Sequence, residues 1–303
     1  LDDFLEQQIK ALAYDRGLTT RIIGKLDDQD WLGEYTPEKT AAVMAKVWPD
    51  LLPPPKMPPF HTLQVPERPA QLCPGCGHRS AFHAIKQALA PTDISVADIG
   101  CHTLGFLPPY EVGQLLMCMG ASTAMASGLR LFNTSRKVVA FMGDSTFFHA
   151  ALPGIVNAVF NRHPITLILM ENGTTAMTGH QDHAASGRNV NDATDKIPVR
   201  QVLEGLGVKH IFEADTYQQA RLTEQVAQAM AIDDFCVVIA RHPCMLKFTR
   251  QQRRKPGYRQ RQVEIDQQTC DRIHTCVAQF GCPTFTRSPD GAVSVNTDLC
   301  IGD

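Results

Sequence analysis

No stretch of this chain stays apolar over the ~18 residues that a membrane-crossing helix requires, so no span is expected. Nothing near Leu1 has the charged, apolar and small-residue succession of a secretory signal, and the first residue is not Met. Charge of one sign is also lacking. Lys and Arg number 29 against 31 Asp and Glu, and a net charge of −2 gives no field that would gather nucleic acid or anionic membrane. Internal repeats and low-complexity tracts are missing too. What remains is a chain of 303 residues, 44% hydrophobic, with the composition of a globular protein in the cytoplasm. An amphipathic stretch at the very start (Phe4, Leu5, Ile9, Leu12) and a fresh cysteine, Cys300, just before Asp303 suggest a piece of a longer polypeptide. Parts of any active site are then expected elsewhere in that polypeptide.

Ten cysteines are present, and in a reducing compartment they are not a disulfide framework. They are clustered: Cys73 and Cys76, then Cys101, then Cys270, Cys276 and Cys282. Such clustering points to metal or iron–sulfur ligation. Cys118 and Cys236 stand in apolar surroundings and are expected to be inert core residues.

Three regions are expected. Residues 1–60 read as mostly helical, with a last segment over Pro37–Trp48, followed by a proline-rich linker (Pro53, Pro54, Pro55, Pro58, Pro59) that cannot continue a helix. Residues 61–250 alternate strands and helices. The strand candidates are Ile94–Ile99, Lys137–Met142, Ile165–Met170, Val208–Ile211 and Phe235–Ala240. Between or before them fit helices at Ser80–Leu89, Gly120–Leu131, Leu152–Asn161, Val199–Leu206 and Tyr217–Met230. That alternation predicts an α/β fold, a parallel sheet with helices on both faces. Residues 251–303 hold a basic stretch (Arg253, Arg254, Lys255, Arg259), read as a solvated linker, and a cysteine-bearing tail.

The sharpest local pattern is Gly143-Asp144-Ser145, followed 27 positions later by Asn172. Each motif ends a predicted strand, so in a parallel sheet both reach the ligand-binding edge. A diphosphate held through Mg²⁺ needs hard oxygen ligands. Asp144, the Asn172 amide oxygen and a carbonyl at Thr174 would supply them. Gly143 lets a phosphate approach the backbone, Ser145 and Thr146 can donate to it, and a helix amino end favours its charge. A Gly-Asp-Ser turn on the surface beside an unrelated Asn is the plainer alternative.

The pattern resembles the thiamine-diphosphate signature. Cys73-Pro74-Gly75-Cys76-Gly77-His78 resembles a segment of the 2-oxoacid:ferredoxin oxidoreductases, as do Met119-Gly120-Ala121-Ser122 and Asn172 to Gly179, which includes Thr178. Asp98 to Gly105 is most similar to the indolepyruvate branch. The resemblance implies the thiamine-diphosphate-binding fold, with thiamine diphosphate, Mg²⁺ and a 4Fe–4S cluster held by Cys73, Cys76, Cys101 and Cys244. It implies coenzyme A as co-substrate, ferredoxin as acceptor, a partner subunit (gamma- or beta-type) or fused domain, and a dimer. The reaction implied is oxidative decarboxylation of an aryl 2-oxoacid to an acyl-coenzyme A. The glutamate that activates thiamine is expected outside this chain. His78 is read equally as a cofactor contact or a packed neighbour of the cluster, and nothing chooses among His149, His180 and His183 as proton carriers.

Cys270, Cys276, Cys282 and Cys300 resemble the start of a ferredoxin-like module, but Ile273 stands where its second cysteine belongs. Two other readings share part of the pattern. A non-oxidative thiamine-dependent decarboxylase or synthase would use Asp144 and Asn172 but not the cysteines. A zinc-binding module without catalysis would use the cysteines alone.

Overall fold

Five runs of aliphatic and β-branched residues are too short for helices and too apolar for loops, which leaves buried strands. The structure is a computed structural model that describes residues 3–50 and 69–302. The chain divides into two compact units, one reaching Arg68 and the other starting at Pro69.

The first unit contains α1 (Asp3–Asp15), a 3₁₀ turn (Asp28–Trp31) and α2 (Pro37–Val47). The start of α2 is set locally. The Thr36 hydroxyl accepts from the Lys39 N–H at 3.2 Å, and Pro37, which has no N–H to lose, occupies the first turn. Lys46 joins it to the turn through Asp27 and Asp30, at 2.9 and 2.7 Å. Between α1 and the turn the chain is irregular, so this part is less helical than the sequence suggested. The prolines from Pro53 to Pro59 lie outside the described residues.

The second unit runs α3 (Gly77–Ala88), β1 (Ile94–Val96), α4 (Ser122–Phe132), β2 (Val138–Gly143), α5 (Asp144–Thr146), α6 (Leu152–Phe160) and β3 (Thr166–Glu171). It continues with α7 (Val199–Gly205), β4 (His210–Asp215), α8 (Gln219–Ala231), β5 (Cys236–Arg241) and α9 (Met245–Gln252). The segment after residue 252 adds α10 (Thr275–Ala278) and an antiparallel pair, β6 (Phe285–Arg287) with β7 (Val293–Val295), within the same unit.

The sheet is wholly parallel, in the order β1-β2-β3-β5-β4. Side chains alternate across it. Val139, Phe141, Ile168 and Val238 pack with Phe82 and Ile85 of α3 and Leu222 and Val226 of α8. Their neighbours Ala140, Met142, Leu167, Val237 and Ile239 pack on the opposite face with Ala126 of α4, Ile155 of α6 and Leu203 of α7. Each such aliphatic side chain, fully buried, stabilises by roughly 1.5–3 kcal/mol. The expected α/β class and its covered sheet are therefore present.

Several boundaries differ from expectation for definable reasons. β4 lies later than Val208–Ile211, because Gly207 at φ +86° and a Val208 N–H bond to the Leu203 carbonyl spend those residues on closing α7. Pro153 lies in the first turn of α6, where its missing N–H is tolerated. The chain is helical from Asp144, and a π turn over Phe147–Ala151 re-spaces the backbone ladder just ahead of the proline. α9 precedes the basic stretch and buries Met245 and Thr249. Arg253, Arg254, Lys255 and Arg259 are exposed. Cys236 is buried as expected. Cys118 is not: it is exposed, because it follows the exposed Leu116 and Met117 in a loop rather than lying in an element. No helix among the described residues is long and apolar enough to cross a membrane.

Phe82 is fully buried, edge-on to Phe141 at 5.2 Å and tilted against Tyr110 at 5.5 Å. Phe82→Ala should cost about 3–5 kcal/mol in urea unfolding. Val156→Ser, on the exposed side of α6, should cost under about 0.5 kcal/mol.

Candidate functional site

Because the sheet is parallel, the loops leaving β1, β2, β3 and β5 emerge along one edge. Every segment singled out in the sequence between Cys73 and Cys244 meets there. The exits of β2 and β3 are tied through one carboxylate. Asp144 is 1% exposed. Its Oδ1 accepts from the Ser145 N–H at 2.9 Å, and its Oδ2 accepts from the N–H groups of Asn172 and Gly173 at 3.0 and 2.7 Å. Gly173, at φ +75°, makes the turn that aims both donors. The Asn172 amide oxygen accepts from the Thr174 N–H at 3.0 Å.

A cleft of ≈ 90 Å³ opens beside these groups. Gly143, Ser145, Thr146, Thr174 and Thr178 line it, as do His78 and His102. The Ser145 and Thr175 hydroxyls are 2.6 Å apart, and Thr146 donates to the Ile99 carbonyl at 3.3 Å. The only basic group among the described residues that approaches Asp144 within ion-pair distance is His183, whose Nε2 lies 3.5 Å from Oδ2. His183 Nδ1 accepts from the Ala185 N–H at 3.3 Å, and its Nε2 is buried without a hydrogen-bond partner. A buried carboxylate whose hydrogen bonds come from backbone N–H groups is suited to hold a cation. The oxygen-rich donor set around it is of the kind Mg²⁺ takes.

The cysteines gather on the other side of His78. Cys73, Cys76, Cys101 and Cys244 all line one cavity of ≈ 250 Å³. Gly75, at φ +63°, allows the turn in which the Cys76 N–H reaches the Cys73 carbonyl at 3.2 Å. Cys76 caps α3, Cys244 caps α9, and Cys101 opens a 3₁₀ turn over Cys101–Phe106. Helix amino ends favour negative charge on sulfur. The Cys244 N–H also bonds to the Asn172 carbonyl at 3.0 Å, which links this cavity to the Asp144 loop. Both spaces share Cys101, His78, Asn172, Ala176 and Met177 as walls.

Burial keeps protons on three of these thiols, Cys73, Cys76 and Cys101. Burial pushes Cys76 up to about 12, and burial with the charges of Cys244 and Cys73 pushes Cys101 up to about 11. Cys73 is raised as well, by burial first and then by Cys244. Each thiol thus feels others of the four. Among the described residues, no three His, Cys, Asp or Glu side chains converge on one ion-sized point. The sulfurs surround a space instead.

His78 borders both spaces, and His102, a wall of the cleft, stacks on it with centroids 6.3 Å apart. Burial lowers His78 to about 4, and burial with the neighbouring His78 lowers His102 to about 3. Both rings are neutral at physiological pH. His78 Nδ1 lies 3.7 Å from the Cys76 sulfur, and His180 Nε2 lies 3.6 Å from that of Cys244. His102 Nε2 is buried with no partner.

Three residues gain importance that sequence reading did not give them. His102 was visible inside the Asp98–Gly105 segment but carried no role there. Asp98 is fully buried and accepts from the N–H groups of Ile99, Gly120 and Ser122 at 2.8, 2.8 and 3.0 Å, pinning the loop after β1. His183 was one of three equivalent candidates, and only the fold brings it to Asp144. In the tail, Cys282 and Cys300 line a further cavity of ≈ 270 Å³ that Cys76 also borders; Cys270 and Cys276 are not among its walls. Ile273 is exposed.

Residues 98–240 match the family of thiamine pyrophosphate enzymes through its C-terminal TPP-binding domain. The whole chain aligns with the indolepyruvate oxidoreductase subunit IorA of Methanothermobacter marburgensis, 32% identical and covering 48% of that subunit. With the IorA subunit of Archaeoglobus fulgidus it is 35% identical over 79% of the chain and 38% of the relative. Over its own length, the chain is similar to the IorA subunits of indolepyruvate oxidoreductases. It spans about half the length of the curated relatives it matches. A solved 2-oxoglutarate:ferredoxin oxidoreductase from Magnetococcus marinus, with 2-oxoglutarate, coenzyme A and succinyl-CoA bound, shares the fold. The superposition has a TM-score of 0.53 at 20% identity and covers 64% of this chain and 75% of that one. The fold of the IorA-like second unit is thus the thiamine-pyrophosphate-binding fold.

The histidine environment predicts an acid limb of stability. His78 has a folded value of about 4, below its ordinary ~6.5. Between those values the unfolded chain takes up a proton that the folded chain refuses. Stability should be complete above about pH 6.5 and fall as pH drops toward about 4. Melting temperatures from pH 7.5 to 4.5 should show this, with a shallower fall in His78→Gln.

Proposed function

We propose that the protein containing this chain oxidatively decarboxylates an aryl 2-oxoacid of the indolepyruvate type to an acyl-coenzyme A. The two electrons released pass through a 4Fe–4S cluster to ferredoxin. The observation that carries this reading is the wall shared by the Asp144–Asn172 cleft and the four-cysteine cavity. A thiamine enzyme that never moves electrons gains nothing from four thiols at that distance. A zinc module gains nothing from the buried carboxylate.

In this reading Asp144, the Asn172 amide oxygen and the Thr174 carbonyl hold Mg²⁺. Ser145, Thr146 and Thr178 donate to the diphosphate, and Gly143 leaves it room. Cys73, Cys76, Cys101 and Cys244 hold the cluster. When bound, thiamine diphosphate supplies a sink for the electron pair left by decarboxylation, and the cluster supplies a one-electron acceptor beside it. The neutral His78 borders both spaces and the neutral His102 borders the cleft, neither adding charge there. His183 directs its Nε2 toward the Asp144 carboxylate at 3.5 Å. Cys282 and Cys300 form a second ligand group in the tail. Ile273 cannot ligate iron, so a full cysteine set around Cys270 and Cys276 is not available.

The activating glutamate, the remaining tail ligands, a gamma- or beta-type partner subunit or fused domain, and the second copy of a dimer are assigned to the rest of a cytoplasmic assembly. The 303-residue segment alone should therefore turn over poorly.

Anaerobic purification of the full-length protein tests the reading. Iron, acid-labile sulfide and broad absorption near roughly 400 nm are expected. A colourless protein that binds thiamine diphosphate would move the assignment to non-oxidative chemistry, and a zinc-loaded one would sink it. Asp144→Asn should weaken Mg²⁺-dependent thiamine diphosphate binding by about 10- to 100-fold in calorimetry. Cys76→Ser should lose iron while keeping that binding.

A further inference from the structure

The four cysteines around the ≈ 250 Å³ cavity are not all held by the same means. β3 and β5 stay paired out to Glu171 and Arg241, so the strand ladder carries the chain up to Asn172 and toward Cys244. Cys73 and Cys76 stand in a turn closed by its own hydrogen bond at the start of α3. The loop that bears Cys101 lacks such support from the sheet. It leaves β1, an edge strand of three residues whose pairing with β2 ends at Val96, while β2 runs on beside β3 as far as Gly143.

A carboxylate takes the place of the missing ladder. Asp98 is fully buried. Its Oδ1 accepts from the N–H groups of Ile99 and Gly120, both at 2.8 Å, and its Oδ2 accepts from the Ser122 N–H at 3.0 Å. One side chain thus ties both ends of the segment between β1 and α4. Thr103 closes the turn around Cys101. Its hydroxyl donates to the Asp98 carbonyl at 3.1 Å and accepts from the Gly100 N–H at 3.2 Å. Asp98 is a wall of neither the cleft nor the cysteine cavity. Hydrogen bonds to a carboxylate are stronger than those to a neutral acceptor, and a buried N–H left without one bears its full desolvation cost. A carboxylate that lines no cavity and gathers three such donors serves position.

We propose that Asp98 is a positioning residue which, with Thr103 as its second tie, sets Cys101 against Cys73, Cys76 and Cys244. It does for an unpaired loop what strand pairing does for the loop that carries Cys244. The assignment rests on the iron–sulfur reading above and concerns where one ligand stands. Once the carboxylate is lost, the Cys101 turn shifts, and the iron that Cys101 holds becomes the labile one. Under oxidation that iron leaves as Fe²⁺, one electron passes to added ferricyanide, and a three-iron cluster stays on Cys73, Cys76 and Cys244.

The full-length protein, purified anaerobically with its iron, tests this by ferricyanide oxidation followed by electron paramagnetic resonance. Cys101→Ala supplies the reference signal of the three-iron cluster. Asp98→Asn keeps the side chain's shape but turns an amino group toward at least one of the three N–H donors. It should reach the three-iron signal about 10- to 100-fold faster than wild type. Thr103→Val should speed the conversion less. Asp30→Asn alters a buried carboxylate of the first unit, bonded to the Leu26 N–H at 3.0 Å, and should convert at the wild-type rate. An iron-loaded Asp98→Asn protein that converts at the wild-type rate overturns the assignment and leaves the proposed function standing. So does one that bleaches outright with no three-iron signal, or an Asp30→Asn protein that converts as fast, since both mark a general loosening of the fold. Should Asp98→Asn fail to fold, Thr103→Val decides alone, and a wild-type rate in that variant overturns the assignment. A wild-type protein that takes up no iron overturns the proposed function and this assignment with it.

Discussion

Asp144 is a carboxylate sealed from water and held by three backbone N–H groups, two of which belong to the turn that leaves the next strand. The rest of the site depends on that arrangement. It sets the position of Asn172 against Gly143, and Asn172 in turn passes its carbonyl to the N–H of Cys244. A single buried charge therefore aligns three loops that lie far apart in the chain. Backbone donors suit the task, since they are carried by the sheet itself and lose no rotamer freedom when they bind. The same carboxylate faces the oxygen-lined cleft, so the element that organises the site is also the one suited to hold a metal.

The cysteine cavity follows a similar economy. Three of its four cysteines stand at helical starts, on α3, on α9 and at the 3₁₀ turn after β1. Burial works against thiolate formation there, raising Cys73, Cys76 and Cys101, while the helix amino ends work for it. Burial wins for a free thiol. A bound cationic centre would reverse the balance, since ligation takes the thiolate and releases the proton. The neutral pair His78 and His102 fits beside the cleft, with His78 also bordering the cysteine cavity, because burial keeps protons off both rings. A charged ring there would be repelled by a metal on either side.

Much of the second unit could be read directly. All five strands lie at or near the positions their apolar runs indicate, since a run of four to six branched residues has no other way to leave water than a sheet covered on both faces. The ends of elements were harder. The shift of β4 came from Gly207 and the closing of α7, and the early helical start at Asp144 came from a π turn that no periodicity reveals. Cys118 shows the limit most plainly. Its neighbours are apolar, but apolar neighbours in a loop need not be buried, and here they are exposed.

Residue types and spacing alone determined the parallel sheet and the Asp144–Asn172 relation, because each depends on short-range pattern or on order along the chain, whereas Cys73, Cys76, Cys101 and Cys244 were named as one group by the family resemblance. Tertiary structure alone decided which histidine faces Asp144, that His102 is buried without a partner, and that Asp98 ties both ends of the segment between β1 and α4. The physical reason is the same in each case. A side chain's charge state and partners are set by what burial removes and what distant segments bring, and neither is encoded in its neighbours along the sequence.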